Sequence, residues 1–136
     1  MAREAHSFVM KKCDLLVLAC VGFHGCGLVG TETVCTLELR HGIVIELRHA
    51  EAATTPDLAA YGIATDGAYR DSLVSFRTSV PAGDPLELVG VPERAGVYDV
   101  VVREPGRTDW HAQDVEVRED ECHVIPVRLQ AVNSPI

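Results

Sequence analysis

Apolar and charged residues alternate along the last third of the chain, with Val115 and Val117 set against Glu116 and Arg118, and Tyr98, Val100 and Val102 against Asp99 and Arg103. Successive residues of a strand point to opposite faces, so this period of two predicts strands with one face buried and the other wet. Turns at Pro105-Gly106 and at the acidic run Glu119-Asp120-Glu121 divide three such strands, the last ending near Leu129. Upstream, Ile43, Ile45 and Leu47 alternate with Glu46 and Arg48 in a β-branched run that predicts the first core strand. Thr54-Thr-Pro-Asp57 is a turn signature, because proline fixes φ and Asp bonds its own backbone. A short strand over 59–64 then meets Thr65-Asp-Gly67, a hairpin turn in which Asp-Gly tolerates positive φ. The return strand runs over 68–76 with a bulge near Ser75, a loop spans 78–85, and Leu86–Val89 is the next strand. About seven strands in some 90 residues, with no helical period outside the N-terminus, predict an all-β domain, a single antiparallel β-sandwich.

The N-terminus carries a different pattern. Lys11-Lys12 precede Leu15-Leu-Val-Leu-Ala-Cys20, and no charge follows Asp14 until Glu32. A basic region, a short apolar run and a small residue before the cut are what a secretory signal requires, and Met10 is a candidate start. Val17-Leu-Ala-Cys20 resembles a bacterial lipobox, which implies lipidation at Cys20 and anchoring of the exported protein at the membrane. Cys26 is the alternative, after a poorer box. Ordinary secretion to the periplasm or beyond, an uncleaved anchor and a buried helix stay open, the run over 15–31 being short of the ~20 residues that span a bilayer. The resulting domain plan is a signal and lipobox region over 1–26, a tether over 27–41 and the sandwich over 42–132.

Length and charge narrow the partners. The chain has 136 residues, 47% of them hydrophobic, and a formal net charge of -8. That suits one domain with a core, and the acidic balance argues against nucleic acid, whose phosphates need a basic patch that is missing here. In an exported protein the cysteines become informative. Cys13, Cys20 and Cys26 lie in or beside the signal, whereas Cys35 and Cys122 flank the sandwich. A disulfide between those two closes a loop of about 87 residues, contributing on the order of 4 kcal/mol by chain entropy. Two free thiols are the alternative, and no Cys-x-x-Cys or His-x-x-x-His spacing favours a metal.

Candidate chemistry is sparse. The sequence holds no Gly-x-Ser-x-Gly elbow, no phosphate-cradling glycine loop and no His-Glu-x-x-His. His41 and His49 on one strand would stand roughly 26 Å apart, too far to share a metal. His111 and His123 make a better pair if their strands are adjacent. Glu119-Asp120-Glu121 offers clustered oxygens for calcium, though a plain acidic turn explains it more simply. Trp110, Tyr98 and Tyr69 are candidate aromatics for stacking on a sugar or peptide, against the alternative that they fill the core. No cofactor is expected.

Gly42-Ile-Val-Ile-Glu-Leu47, Thr65-Asp-Gly-Ala-Tyr69, Glu93-Arg-Ala-Gly-Val-Tyr-Asp-Val-Val-Val102 and Glu104-Pro-Gly106 together resemble the carboxypeptidase regulatory-like domains. The likeness covers roughly residues 42–130. It implies a transthyretin-like, prealbumin-type sandwich that serves as a non-catalytic accessory module for stability, display or binding. The ending Asp120-Glu-Cys-His-Val124 is similar to small bacterial envelope proteins carrying such a domain. Transthyretin-like hydrolases of 5-hydroxyisourate end in a Tyr-Arg-Gly-Ser-type tail, whereas this chain ends Asn133-Ser-Pro-Ile136. Intradiol dioxygenases need two tyrosines and two histidines on iron, and the residues flanking Tyr61, Tyr69 and Tyr98 do not match them. The expected role is therefore a non-enzymatic exported module of the cell envelope, lipid-anchored, meeting an envelope protein or a glycan. The alternative is a small transthyretin-like hydrolase or metal enzyme, and edge-strand pairing into an oligomer is also open.

Overall fold

The computed structural model describes residues 33–51 and 54–136, so the predicted signal and both candidate lipidation cysteines lie outside the described residues. Eight strands follow in order: β1 His41–His49, β2 Tyr61–Asp66, β3 Tyr69–Leu73, β4 Leu86–Pro92, β5 Gly96–Arg103, β6 Trp110–Glu119, β7 Val124–Ile125 and β8 Val127–Asn133. They form a three-stranded sheet in the order β4-β1-β8 and a five-stranded sheet in the order β3-β2-β5-β6-β7. No helix occurs among the described residues. The all-β sandwich expected from the alternation is what the chain forms.

Two features depart from the expected plan. β8 lies parallel to β1, with Ile43 opposite Val127 and His49 opposite Asn133, whereas the other ladders are antiparallel. Parallel neighbours need a long crossover, and here the whole five-stranded sheet lies between β1 and β8 in sequence. Alternation reports which face is buried and is blind to strand direction. The last predicted strand is also two strands, because Pro126 has no N–H to continue the ladder. The bulge falls on β6, where Gln113 and Asp114, the latter at φ 55°, face the single Asp99 of β5, and not at Ser75, which lies beyond the end of β3.

The core collects one face of each sheet. Ile43, Ile45 and Leu47 of β1, Leu86 and Leu88 of β4 and Ala131 of β8 meet Ala64, Leu73, Tyr98, Val100, Val102, Val115 and Val117. At ~25 cal/mol per Å² of apolar surface removed from water, this contact is the main source of stability. The end of β4 departs from regular geometry, with Val91 at φ 58° and Glu93 at φ 47°. A β-branched residue at positive φ is an outlier, and each such residue costs roughly 1–3 kcal/mol. The surroundings fix it: Val91 is fully buried and its N–H donates to Asp71 Oδ2 at 2.7 Å. The consequence is that Glu93 turns toward the end of β6.

Candidate functional site

The segment Thr33–Arg40 precedes β1 without joining a sheet. It is drawn onto the β6–β7 turn by the pair predicted from sequence, Cys35 and Cys122, whose sulfurs stand 2.06 Å apart in a disulfide. Thr33 Oγ1 donates to Glu121 Oε2 at 2.6 Å just ahead of that link. Between the strap and the turn lies a cleft of about 490 Å³, lined by residues that include Thr36, Leu37, Glu93, Asp120 and His123.

Three side chains form a hydrogen-bonded row in this cleft. Thr36 Oγ1 is 3.0 Å from His123 Nε2, and His123 Nδ1 is 2.9 Å from Glu93 Oε1. The carboxylate end of the row is pinned by backbone. Glu93 Oε1 accepts the Arg40 N–H at 2.6 Å and Glu93 Oε2 accepts the Val124 N–H at 3.3 Å. The Arg40 amide first, then the His123 imidazole and the Val124 amide, hold the Glu93 carboxyl below its ordinary range against a partial desolvation that raises it. Because a carboxylate only accepts, His123 Nδ1 carries the hydrogen, which in a neutral ring leaves the Nε2 lone pair for the Thr36 hydroxyl. The His123 side chain is only 10% exposed, while Thr36 is open to solvent.

The acidic run beside it is a turn. Asp120 Oδ1 accepts the N–H groups of Cys122 and His123, both at 2.8 Å, and these two bonds lower its carboxyl pKa. Its N–H closes on the His123 carbonyl at 2.9 Å. Asp120 thus shapes the loop that presents His123. Among the described residues no group of three or more His, Cys, Asp or Glu side chains is placed to hold a metal ion.

The other residues singled out from sequence are dispersed. Tyr98 has no exposed surface, and its hydroxyl receives Arg94 Nη1 at 2.7 Å and donates to the Arg94 carbonyl at 3.1 Å. Tyr69 meets it edge-on at 6.1 Å between ring centroids, beneath the Arg94 guanidinium, 4.0 Å above its ring. Trp110 is half-buried against the core. None of the three lines the cleft. His111 and His123 do not meet, because β6 is one continuous strand that keeps His111 near its start, opposite Val101, and His123 beyond its end. Thr36 and Glu93 escaped the sequence reading. One sits in what read as a tether, and the other owes its direction to a left-handed backbone that no local motif announces.

No family model, no curated protein and no solved structure matches the chain.

Proposed function

We propose that this protein is a non-enzymatic exported accessory module of the cell envelope, of carboxypeptidase regulatory-like, transthyretin-like type. Lipid on Cys20, or alternatively on Cys26, anchors it to the membrane, and the strapped cleft engages an envelope protein or a glycan. The observation that supports export is the Cys35–Cys122 disulfide, since such links form and persist in oxidising compartments. The observation that supports a binding role is the cleft, a concave site with convergent polar groups held in place by backbone hydrogen bonds. Intact mass of the protein from native-host membranes, before and after reduction, tests this reading. Cleavage before Cys20 or Cys26, added acyl chains and a gain of about 2 Da on reduction are expected. An uncleaved chain with free thiols overturns it.

One observation favours a second reading, a small hydrolase. The order hydroxyl, imidazole, carboxylate across Thr36, His123 and Glu93 is that of an activated nucleophile, its base and the group that orients the base.

A further inference from the structure

We propose that Thr36, His123 and Glu93 form an acyl-transfer triad in the strapped cleft, acting on small esters. Thr36 Oγ1 is the nucleophile, His123 Nε2 the base, and Glu93 the positioning residue. The proposal rests on the hydrolase reading of the cleft, which takes the place of the non-enzymatic one, and is independent of export or lipid anchoring.

Direction distinguishes this row from a merely structural one. A triad needs the nucleophile's proton aimed at the base and the far side of the base held by an acceptor. In the cleft, Thr36 Oγ1 has no hydrogen-bond partner but His123 among the described residues, so no other protein acceptor competes with Nε2 for its proton. A second hydroxyl–imidazole–carboxylate row exists, from Thr54 through His49 to Glu104. There the threonine hydroxyl also donates to the Glu51 carbonyl at 2.9 Å, which draws its proton away from the ring. The cleft also has space for a substrate. Leu37 and Leu39 on its rim are largely exposed and give an acyl chain an apolar rest. The N–H of Leu37, directly after the nucleophile, makes no hydrogen bond among the described residues and is the amide available to a developing oxyanion. Preorganisation comes from the left-handed turn that aims Glu93 and from the Asp120 turn that presents His123.

Water is the one co-reactant the chemistry needs. Thr36 Oγ1 adds to the ester carbonyl carbon as its proton passes to His123 Nε2. The tetrahedral adduct collapses, the bond to the alcohol oxygen breaks, and His123 returns the proton to that leaving oxygen. Water then repeats both steps on the acyl-threonine, releasing the carboxylic acid and restoring the hydroxyl.

The test uses the disulfide-intact protein and p-nitrophenyl acetate. No lysine follows Lys12, so side-chain amines of the sandwich contribute no background acylation. Release of nitrophenolate above the buffer rate is expected, with an acetyl group mapped by mass spectrometry to Thr36. Thr36→Ala should lower it by roughly 100-fold with the melting temperature unchanged, Thr36→Ser should restore it, and His123→Ala should cost a similar factor. Glu93→Gln, which keeps a carbonyl acceptor for the Arg40 amide, should lower the rate and move the pH profile. Ester cleavage that needs His123 but survives Thr36→Ala overturns the triad while leaving a hydrolase. No cleavage above buffer by the folded wild type overturns both.

Discussion

His49 Nε2 lies 2.8 Å from Glu104 Oε1 in the packed end of the sandwich, with the two side chains only 5% and 2% exposed. One hydrogen must lie between these atoms, since two bare acceptors at that distance would repel. Glu104 accepts two further hydrogen bonds. Oε1 also accepts the Asp57 N–H at 2.7 Å, and Oε2 accepts Asn133 Nδ2 at 3.4 Å. One side chain thus joins the ends of β1, β5 and β8 to the turn before β2.

Removing that hub leaves the buried His49 imidazole and Asn133 carboxamide, together with the Asp57 amide, without their acceptor. Breaking a buried pair by deleting one partner costs about 3–5 kcal/mol. Glu104→Ala is expected to lower the urea unfolding midpoint by that amount of free energy, with Glu104→Gln falling between it and wild type. Equal midpoints for Glu104→Ala and wild type would show that the node carries no stability.

The strap gives a second expectation. Cys35 and Cys122 are separated by 87 positions. Opening a loop of that length releases on the order of 4 kcal/mol of chain entropy to the unfolded state. Cys35→Ser should therefore melt well below wild type under oxidising conditions and match it under reducing ones. The paired comparison isolates the covalent link from the loss of a sulfur contact.

Much of the sandwich was legible because burial and alternation share a cause. Ile43, Ile45 and Leu47 point inward, and each is fully buried, as the period of two required. The Asp66-Gly67 turn was readable from steric freedom, with Gly67 at φ 57°. The parallel β1–β8 ladder was not readable, since strand direction depends on which distant segments meet. The cleft was half legible. Oxidative pairing of Cys35 with Cys122 followed from where cysteines were left over, but the row from Thr36 to Glu93 needs three segments brought together by that link. Spacing along the chain carries no trace of it.

Close approach of the two sheets makes Gly42 a sensitive position. A Cβ there would stand 2.7 Å from Val117 Cγ1 and 3.1 Å from the Val91 carbonyl oxygen. Val117 is β-branched and buried in β6, so it has no free rotamer to move into. Gly42→Ala is expected to destabilise by about 1–3 kcal/mol through overpacking, even though alanine suits a strand better than glycine. Chemical denaturation of the variant measures this, and a stabilised Gly42→Ala would mean that the sheets can separate there at no cost.

Acid should loosen the strapped end before the core. The Glu93 carboxyl is held below its ordinary 4.5, chiefly by the Arg40 amide, and the Asp120 carboxyl below its ordinary 3.8 by the amides of Cys122 and His123. Each group binds its proton less tightly in the folded protein than in the unfolded chain. Their contribution to stability is therefore complete above about pH 4.5 and is lost as pH falls through the lowered folded values. Protonation turns Glu93 and Asp120 into poorer acceptors, so the amides of Arg40, Cys122, His123 and Val124 lose their partners while the disulfide still tethers the strap. Hydrogen exchange at pH 3, corrected for intrinsic rates and set against pH 6, should show lost protection at those four amides. Ile45 and Val100, whose protection comes from sheet ladders, should keep theirs. Uniform loss across both groups would mean that acid unfolds the whole sandwich at once and that the two carboxylates do not act locally.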